Sequence, residues 1–220
     1  MIADLRDALG AGVAEALSRY SGAMPGPGGQ QLRLSDWVAL CVVCERTTHG
    51  FAIAQLFSHQ GSLGQVWQVS KPAVYAAIQR LDKLGLVETL GEQSTSKGPA
   101  RSLVKATRAG QAAARGWLRT PVMHGRDVRS ELLMKLALLD RARADPSELL
   151  IQQRAEFSPV AAAPADQVPA TTGTEHTLAL WRHKAMSATL QFLDDLTRQA
   201  EWASATEPSG HRRQVSTPRG

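Results

Sequence analysis

Few residue types that would direct this chain outside a reducing, aqueous compartment are present. It has two cysteines in 220 residues, Cys41 and Cys44, too few and too close together for the disulfide framework of a secreted scaffold. No run approaches the roughly 18 consecutive apolar residues of a membrane-spanning helix. The first residues, with Asp4 and Asp7, lack the basic-then-apolar order of a signal peptide. A cytoplasmic protein is the expectation. Motifs for catalysis are missing as well: there is no phosphate-binding glycine loop, no nucleophile elbow and no metalloprotease helix motif. Paired carboxylates such as Asp194 and Asp195 fall where a helix face would be solvated. No enzyme activity is therefore expected.

What is present begins with charge. The formal net charge is +5. Between Ser70 and Arg115 stand Lys71, Arg80, Lys83, Lys97, Arg101, Lys105, Arg108 and Arg115, against only Asp82, Glu88 and Glu92, so this segment carries the whole excess. A polyanion-binding surface requires such a concentration, because neutralising phosphates releases counterions and supplies most non-specific affinity. The competing explanation is a basic face that is merely solvated.

Periodicity organises the rest. Ile2, Leu5, Leu9, Val13, Leu17 and Tyr20 recur at helical steps, and Ser21 to Gly29, with four glycines and two prolines, reads as a flexible linker. Ser35 is a candidate cap for a helix from about Asp36 to Glu45, and Thr47 or Thr48 for a second from about Gly50 to Ser58. Val66, Trp67 and Val69 suggest a short extended segment. Ser70 followed by Pro72 marks the start of a third helix, which should end at Gly85. Leu86 to Leu90 and Ser102 to Ala106 read as two strands joined by a polar tip, Gly91 to Gly98, and Thr107 can cap a fourth helix to about Leu118. Three helices followed by a two-stranded hairpin is the order of a winged helix-turn-helix, with the basic residues on its third helix and wing.

Further along, Val128, Leu132, Leu133, Leu136 and Leu139 are helical in period, and Asp145 with Pro146 caps another helix to about Glu156. Residues 158–173 turn to Pro, Ala and Thr without periodicity and read as a loop or insertion. A last helix carries the stripe Leu178, Trp181, Ala185, Ala188, Phe192, Leu196 and Ala200, widened by Leu190 and Leu193 beyond what one neighbour covers. The expected organisation is an N-terminal amphipathic helix with linker (1–29), a winged helix-turn-helix domain (30–120), a C-terminal helical dimerisation domain (121–203) and a disordered tail (204–220). The fold class is thus mainly α with a small β wing.

Several ordered motifs in this frame resemble the PadR family of transcriptional regulators. His49-Gly50-Phe51-Ala52-Ile53 is similar to the family's His-Gly-Tyr-x-Ile, with phenylalanine in place of the tyrosine. Val69 to Val87 resembles its recognition helix, with Tyr75, Leu81, Gly85 and Leu86 in the family's places. Thr107 and Gly110 repeat its Thr-x-x-Gly, and Gly98 with Arg101 falls at its basic wing. Glu131 to Leu139, Asp145-Pro146 and the Trp181 helix are similar to its C-terminal helices, from which the Pro/Ala insertion departs. The resemblance implies a homodimeric, sequence-specific regulator, expected to repress, that binds a pseudo-palindromic duplex. A winged-helix module binding another protein through the same basic face is the alternative.

Individual residues follow from the chemistry of groove recognition. The N-terminal end of a recognition helix needs short or polar side chains for close approach, and long donors for bases and phosphates. Ser70, Lys71, Ala73, Tyr75, Gln79 and Arg80 fit on the third helix, and Lys97 and Arg101 on the wing. Tyr75 could instead pack inward beside Ile78 and Leu81. Leu178, Trp181, Ala185, Phe192 and Leu196 are the dimerisation candidates, and Trp117, Trp181 and Trp202 the candidate pocket for a flat aromatic effector, weighed against simple core packing. Cys41, Cys44 and His49 look like half of a zinc site. With the cysteines among Val38, Leu40, Val42 and Val43 and no fourth ligand nearby, inert buried thiols are the favoured reading, and neither metal nor cofactor is expected.

Overall fold

The computed structural model describes residues 32–95, 98–161 and 173–206. The N-terminal amphipathic stretch, its glycine-rich linker, Lys97, most of the Pro/Ala insertion and the tail after Thr206 lie outside them. Two compact units meet at Ala144 and Asp145.

The first unit is built around helix α1 (Leu34–Glu45). Asp36 starts it: its carboxylate reaches back to accept the Arg33 N–H at 3.0 Å. The helix therefore begins earlier than a cap at Ser35 would set it, and the Ser35 hydroxyl instead donates to Asp36 at 3.4 Å. Trp37 through Val43 are buried without interruption. A helix apolar on every side is a central one, and here the other elements of the unit pack around it. Strand β1 (Thr48–His49) follows, then α2 (Gly50–Leu56). The cap of α2 is His49, whose Nδ1 accepts the Ala52 N–H at 3.0 Å, rather than Thr47 or Thr48.

The segment Val66–Val69 forms no strand; tight turns precede it, with Gly61 N–H on the Ser58 carbonyl and Leu63 N–H on that of Leu56. The extended segment is β1 instead. Its two residues pair antiparallel with the hairpin, Thr48 opposite Val104 and His49 opposite Leu103, giving a three-stranded sheet in the order β1-β3-β2. Helix α3 (Lys71–Lys83) closes at Gly85, where φ is +66°. Strands β2 (Val87–Thr95) and β3 (Gly98–Ala106) form the wing, longer than the apolar runs alone indicated because pairing continues through Gln93–Arg101 and Thr95–Gly98.

Helix α4 (Arg108–Arg119) starts as expected at Thr107, whose hydroxyl oxygen accepts the Gly110 N–H at 3.0 Å. A Cβ on Gly110 would lie 1.9 Å from the Leu86 carbonyl oxygen, so the glycine of that Thr-x-x-Gly motif is a close backbone approach. After one 3₁₀ turn (Gly125–Asp127) and one π turn (Val128–Leu132), α5 (Leu133–Arg141) runs within the same unit, with Met134 and Leu138 in its core. Arg141 ties it to the end of α1 by an ion pair to Glu45 at 2.8 Å.

Lys135 on α5 is 1% exposed. Its ammonium lies 2.7 Å from a Glu131 carboxylate oxygen, donates to the Thr120 carbonyl at 2.7 Å, and sits 4.7 Å from the Trp117 ring centroid. Trp117 in turn donates its indole N–H to Glu131 at 3.1 Å and stacks on Trp37, centroids 5.7 Å apart and planes within 4°. Burial holds the Lys135 ammonium below its ordinary 10.5, against the opposing pull of Glu131. Between that lowered value and 10.5 the unfolded chain holds a proton that the folded chain has lost, so raising pH favours the fold. The stability of the parent relative to Lys135→Met should therefore increase with pH across this window in denaturant titrations. At neutral pH the substitution should cost under about 1.5 kcal/mol, since methionine fills similar volume and the Glu131 carboxylate, 31% exposed, keeps the Trp117 N–H and reaches water. A difference that shrinks as pH rises would contradict this account of Lys135.

The second unit holds α6 (Ser147–Ala161) and α7 (Thr174–Thr206), packed on each other. Asp145 caps α6 as its sequence suggests, accepting the Ser147 N–H at 2.9 Å and hydroxyl at 2.6 Å, and these bonds hold its carboxyl below the usual range. Leu149, Leu150, Phe157, Met186 and Leu193 are its buried apolar residues, and Arg154 pairs with Asp194 at 2.6 Å.

Candidate nucleic-acid interface

Helix α3 divides along its length. Val74, Ala77, Ile78 and Leu81 are buried against the core, and their three- and four-residue spacing leaves Lys71, Tyr75 and Gln79 exposed. Ser70 caps the start, its hydroxyl accepting the Ala73 N–H at 3.4 Å, and Pro72 occupies the first turn, where no N–H is missed. The exposed end of the helix thus combines a free N-terminal turn, the half-buried Ala73 and three longer polar side chains.

Two of those side chains rest on the start of α2. The Lys71 ammonium sits 5.0 Å from the centroid of the Phe51 ring, within the range of a cation–π contact. Tyr75 is 47% exposed, which answers the question of whether it packs inward, and its ring lies against Gly50. Arg80 is placed differently. Its guanidinium grips both carboxylate oxygens of Asp36, with Nε at 3.2 and 3.1 Å and Nη2 at 2.5 Å. Asp36 is 1% exposed, so Arg80 anchors α3 to α1. This pairing spans 44 residues of sequence and has no local signature.

On the wing, Arg101 stands opposite Gln93 in the strand register, while its side chain, like Lys97 as a whole, lies outside the described residues. Lys105 is near Glu88 at 3.7 Å with both side chains half exposed, a contact of little energetic weight.

The zinc-like trio is otherwise engaged. Cys41 is buried and its thiol pushed up by desolvation; Cys44 is pushed up to about 11 by the same cause, so both are neutral thiols at physiological pH. The His49 Nδ1 is occupied by its cap. Among the aromatic candidates, Trp117 is buried in its stack with Trp37, Trp181 is 64% exposed in the second unit, and the Trp202 side chain lies outside the described residues. Of the dimerisation candidates, Leu178 and Trp181 are exposed and Ala185, Phe192 and Leu196 half-buried; Leu180 and Ile151 add exposed apolar surface, whereas Leu193 is wholly buried within the unit.

No curated protein matches the chain. Among solved structures it is similar to Bacillus subtilis PadR in complex with operator DNA, at 15% identity over 75% of this chain and 98% of that one, TM-score 0.40. It is also similar to smu.1604c from Streptococcus mutans UA159, at 15% identity over 78% and 98%, TM-score 0.35. A third is the PadR-like transcriptional regulator BC1756 from Bacillus cereus, at 15% identity over 77% and 99%, TM-score 0.33. Residues 39–116 match the Transcriptional regulator PadR-like family, a span reaching from α1 through the wing into α4. Over these residues the winged helix of the chain is thus similar to the PadR-like family of transcriptional regulators.

Proposed function

We propose that the chain is a sequence-specific DNA-binding regulator of transcription, acting in the cytoplasm as a homodimer and repressing by occupying a pseudo-palindromic operator. The observation that carries this reading is the exposed end of α3, where Ser70, Lys71, Tyr75 and Gln79 face away from the buried side of the same helix and the small Ala73 is half-buried beside them. Such an end can enter a major groove, with Lys71 and Tyr75 reaching phosphates or base edges and the wing, through Lys97 and Arg101, reaching the neighbouring backbone or minor groove. Bacillus subtilis PadR has been captured on operator DNA, which agrees with this assignment. The test is anisotropy of a labelled mixed-sequence duplex of about 30 base pairs, titrated at several salt concentrations. Affinity should fall about a hundredfold or more between about 50 and about 200 mM salt, as for several phosphate contacts, and Lys71→Met should make the log–log slope shallower by about one unit per subunit on the duplex, about two for the dimer. Affinity unchanged by salt would contradict the reading.

Dimerisation is assigned to the helical region after the winged helix. Its support is the exposed apolar surface of Ile151, Leu178, Leu180 and Trp181, which water covers at a cost in an isolated subunit. Sedimentation of the full chain should give a dimer at micromolar concentration. Deleting the residues after Gly173 should give monomers or aggregates, and deleting those before Gly28 should weaken the dimer less. A stable dimer lacking α7 would contradict the assignment. For a flat aromatic effector, the support is the exposed Trp181 ring, since Trp117 is already engaged by Trp37 and Lys135.

A further inference from the structure

The two exposed side chains expected to reach DNA from the first turns of α3 are held by two consecutive residues of another helix. An ideal Cβ built on Gly50 falls 2.7 Å from Tyr75 Cε1, 3.1 Å from its Cδ1 and 3.2 Å from Ile78 Cδ1. The ring of Tyr75 therefore occupies the space that any side chain at position 50 would need. One residue on, the Phe51 ring faces the Lys71 ammonium. Gly50 is the first residue of α2, in ordinary helical backbone, so its lack of a side chain answers to the space around it and not to the backbone conformation.

We propose that Gly50 and Phe51 are positioning residues for DNA recognition: Gly50 seats the Tyr75 ring and Phe51 steers the Lys71 ammonium, so that the start of α2 sets the aim of α3. The inference rests on the reading of α3 as the DNA-contacting helix. With a methyl group at position 50 the Tyr75 ring must swing away. Tyr75 is half exposed and can do so towards solvent, so the fold tolerates the change while the hydroxyl loses its place on the duplex. At Phe51, itself 37% exposed, leucine keeps the apolar contact and removes the ring face that attracts the cation.

Two double-mutant cycles test this, read as anisotropy of a labelled mixed-sequence duplex at low salt, with thermal melts of every variant alongside. Gly50→Ala and Tyr75→Ala should each weaken binding about three- to tenfold, the worth of one hydrogen bond at the interface. The double variant should bind no more weakly than Tyr75→Ala alone, because with the ring gone the added methyl group meets only Ile78 Cδ1 at 3.2 Å, which a shift of a few tenths of an ångström relieves. Phe51→Leu and Lys71→Met should behave the same way, and Phe51→Leu should leave the salt slope unchanged while Lys71→Met reduces it. If Gly50→Ala melts too low to assay, the Gly50→Ala, Tyr75→Ala double variant, in which the ring is absent, should melt higher and supplies the comparison with Tyr75→Ala. Gly50→Ala and Phe51→Leu proteins that bind as tightly as the parent, while Tyr75→Ala and Lys71→Met bind more weakly, would overturn the positioning role and leave the DNA face standing. Losses that simply multiply across each cycle would also overturn it. Tyr75→Ala and Lys71→Met proteins that bind like the parent would overturn the reading of the face, and the inference with it.

Discussion

A Lys71→Glu, Arg101→Glu protein is expected to keep its fold and lose about a hundredfold or more in affinity for duplex DNA at moderate salt, the effect of replacing two phosphate-facing cations per subunit by anions. Lys71 is exposed, and its one described aromatic neighbour, Phe51, keeps its own packing without the ammonium. Arg101 sits in a strand whose pairing with Gln93 is made by backbone groups. The Lys71 change buries no charge and the Arg101 change leaves the backbone pairing in place, so far-ultraviolet circular dichroism and the melting temperature should stay close to those of the parent. Helix α3 and the wing are altered together because, on the proposed reading, either cation alone would supply a modest share of a distributed phosphate-binding surface. Anisotropy titration measures the loss. A folded double variant that holds the duplex with parental affinity would remove α3 and the wing from the interface.

The largest expected effect on stability is at Arg80. Arg80→Met should lower the unfolding free energy by about 3 kcal/mol or more, because it leaves the Asp36 carboxylate buried without its cation. Asp36 would retain the Arg33 N–H and the Ser35 hydroxyl, too little to offset the desolvation of an ionised group that is 1% exposed. The reverse substitution, Asp36→Asn, should cost less. The Arg80 side chain is 35% exposed and can rotate its guanidinium into water, and asparagine retains an oxygen for the Arg33 N–H. Urea denaturation of the two variants gives the order directly, and an Asp36→Asn protein less stable than Arg80→Met would contradict the account of which partner depends on the other. The pair also fixes where α3 lies on α1, so Arg80→Met should weaken duplex binding beyond what its charge explains.

These two predictions draw on different kinds of information. Lys71 stands at the start of a helix whose beginning is written locally, in Ser70 and Pro72, and its exposure follows from the spacing of Val74, Ile78 and Leu81. The same holds for Thr107 at α4 and Asp145 at α6, where cap and capped amide are two or three residues apart. Arg80 sits on the same helix and is also basic, so charge patterning places it with the groove candidates; only the fold reveals Asp36 beneath it, 44 residues away.

Strand β1 was illegible for a related reason. Two residues carry no period, and their pairing with Leu103 and Val104 is a property of the assembled sheet. Lys135 is a third case: a lysine within Leu132–Leu139 reads as the polar side of an amphipathic helix, yet the carbonyl of Thr120, the carboxylate of Glu131 and the ring of Trp117 enclose it. Glu131 is one helical turn before it, a spacing that suits a surface pair equally well. Gly50 was legible as part of a motif, but the reason for it, the ring of Tyr75, needed the packing of α2 on α3.

Selection of bound duplexes from a random-sequence pool by the full chain, followed by sequencing, tests the central claim most directly. A dimer that places one α3 in each of two successive major grooves should enrich a two-fold symmetric motif whose half-sites lie about 10 base pairs apart, centre to centre, equivalent to about 34 Å along the duplex. Enrichment of a single unsymmetrical half-site, or none above the starting pool, would contradict it.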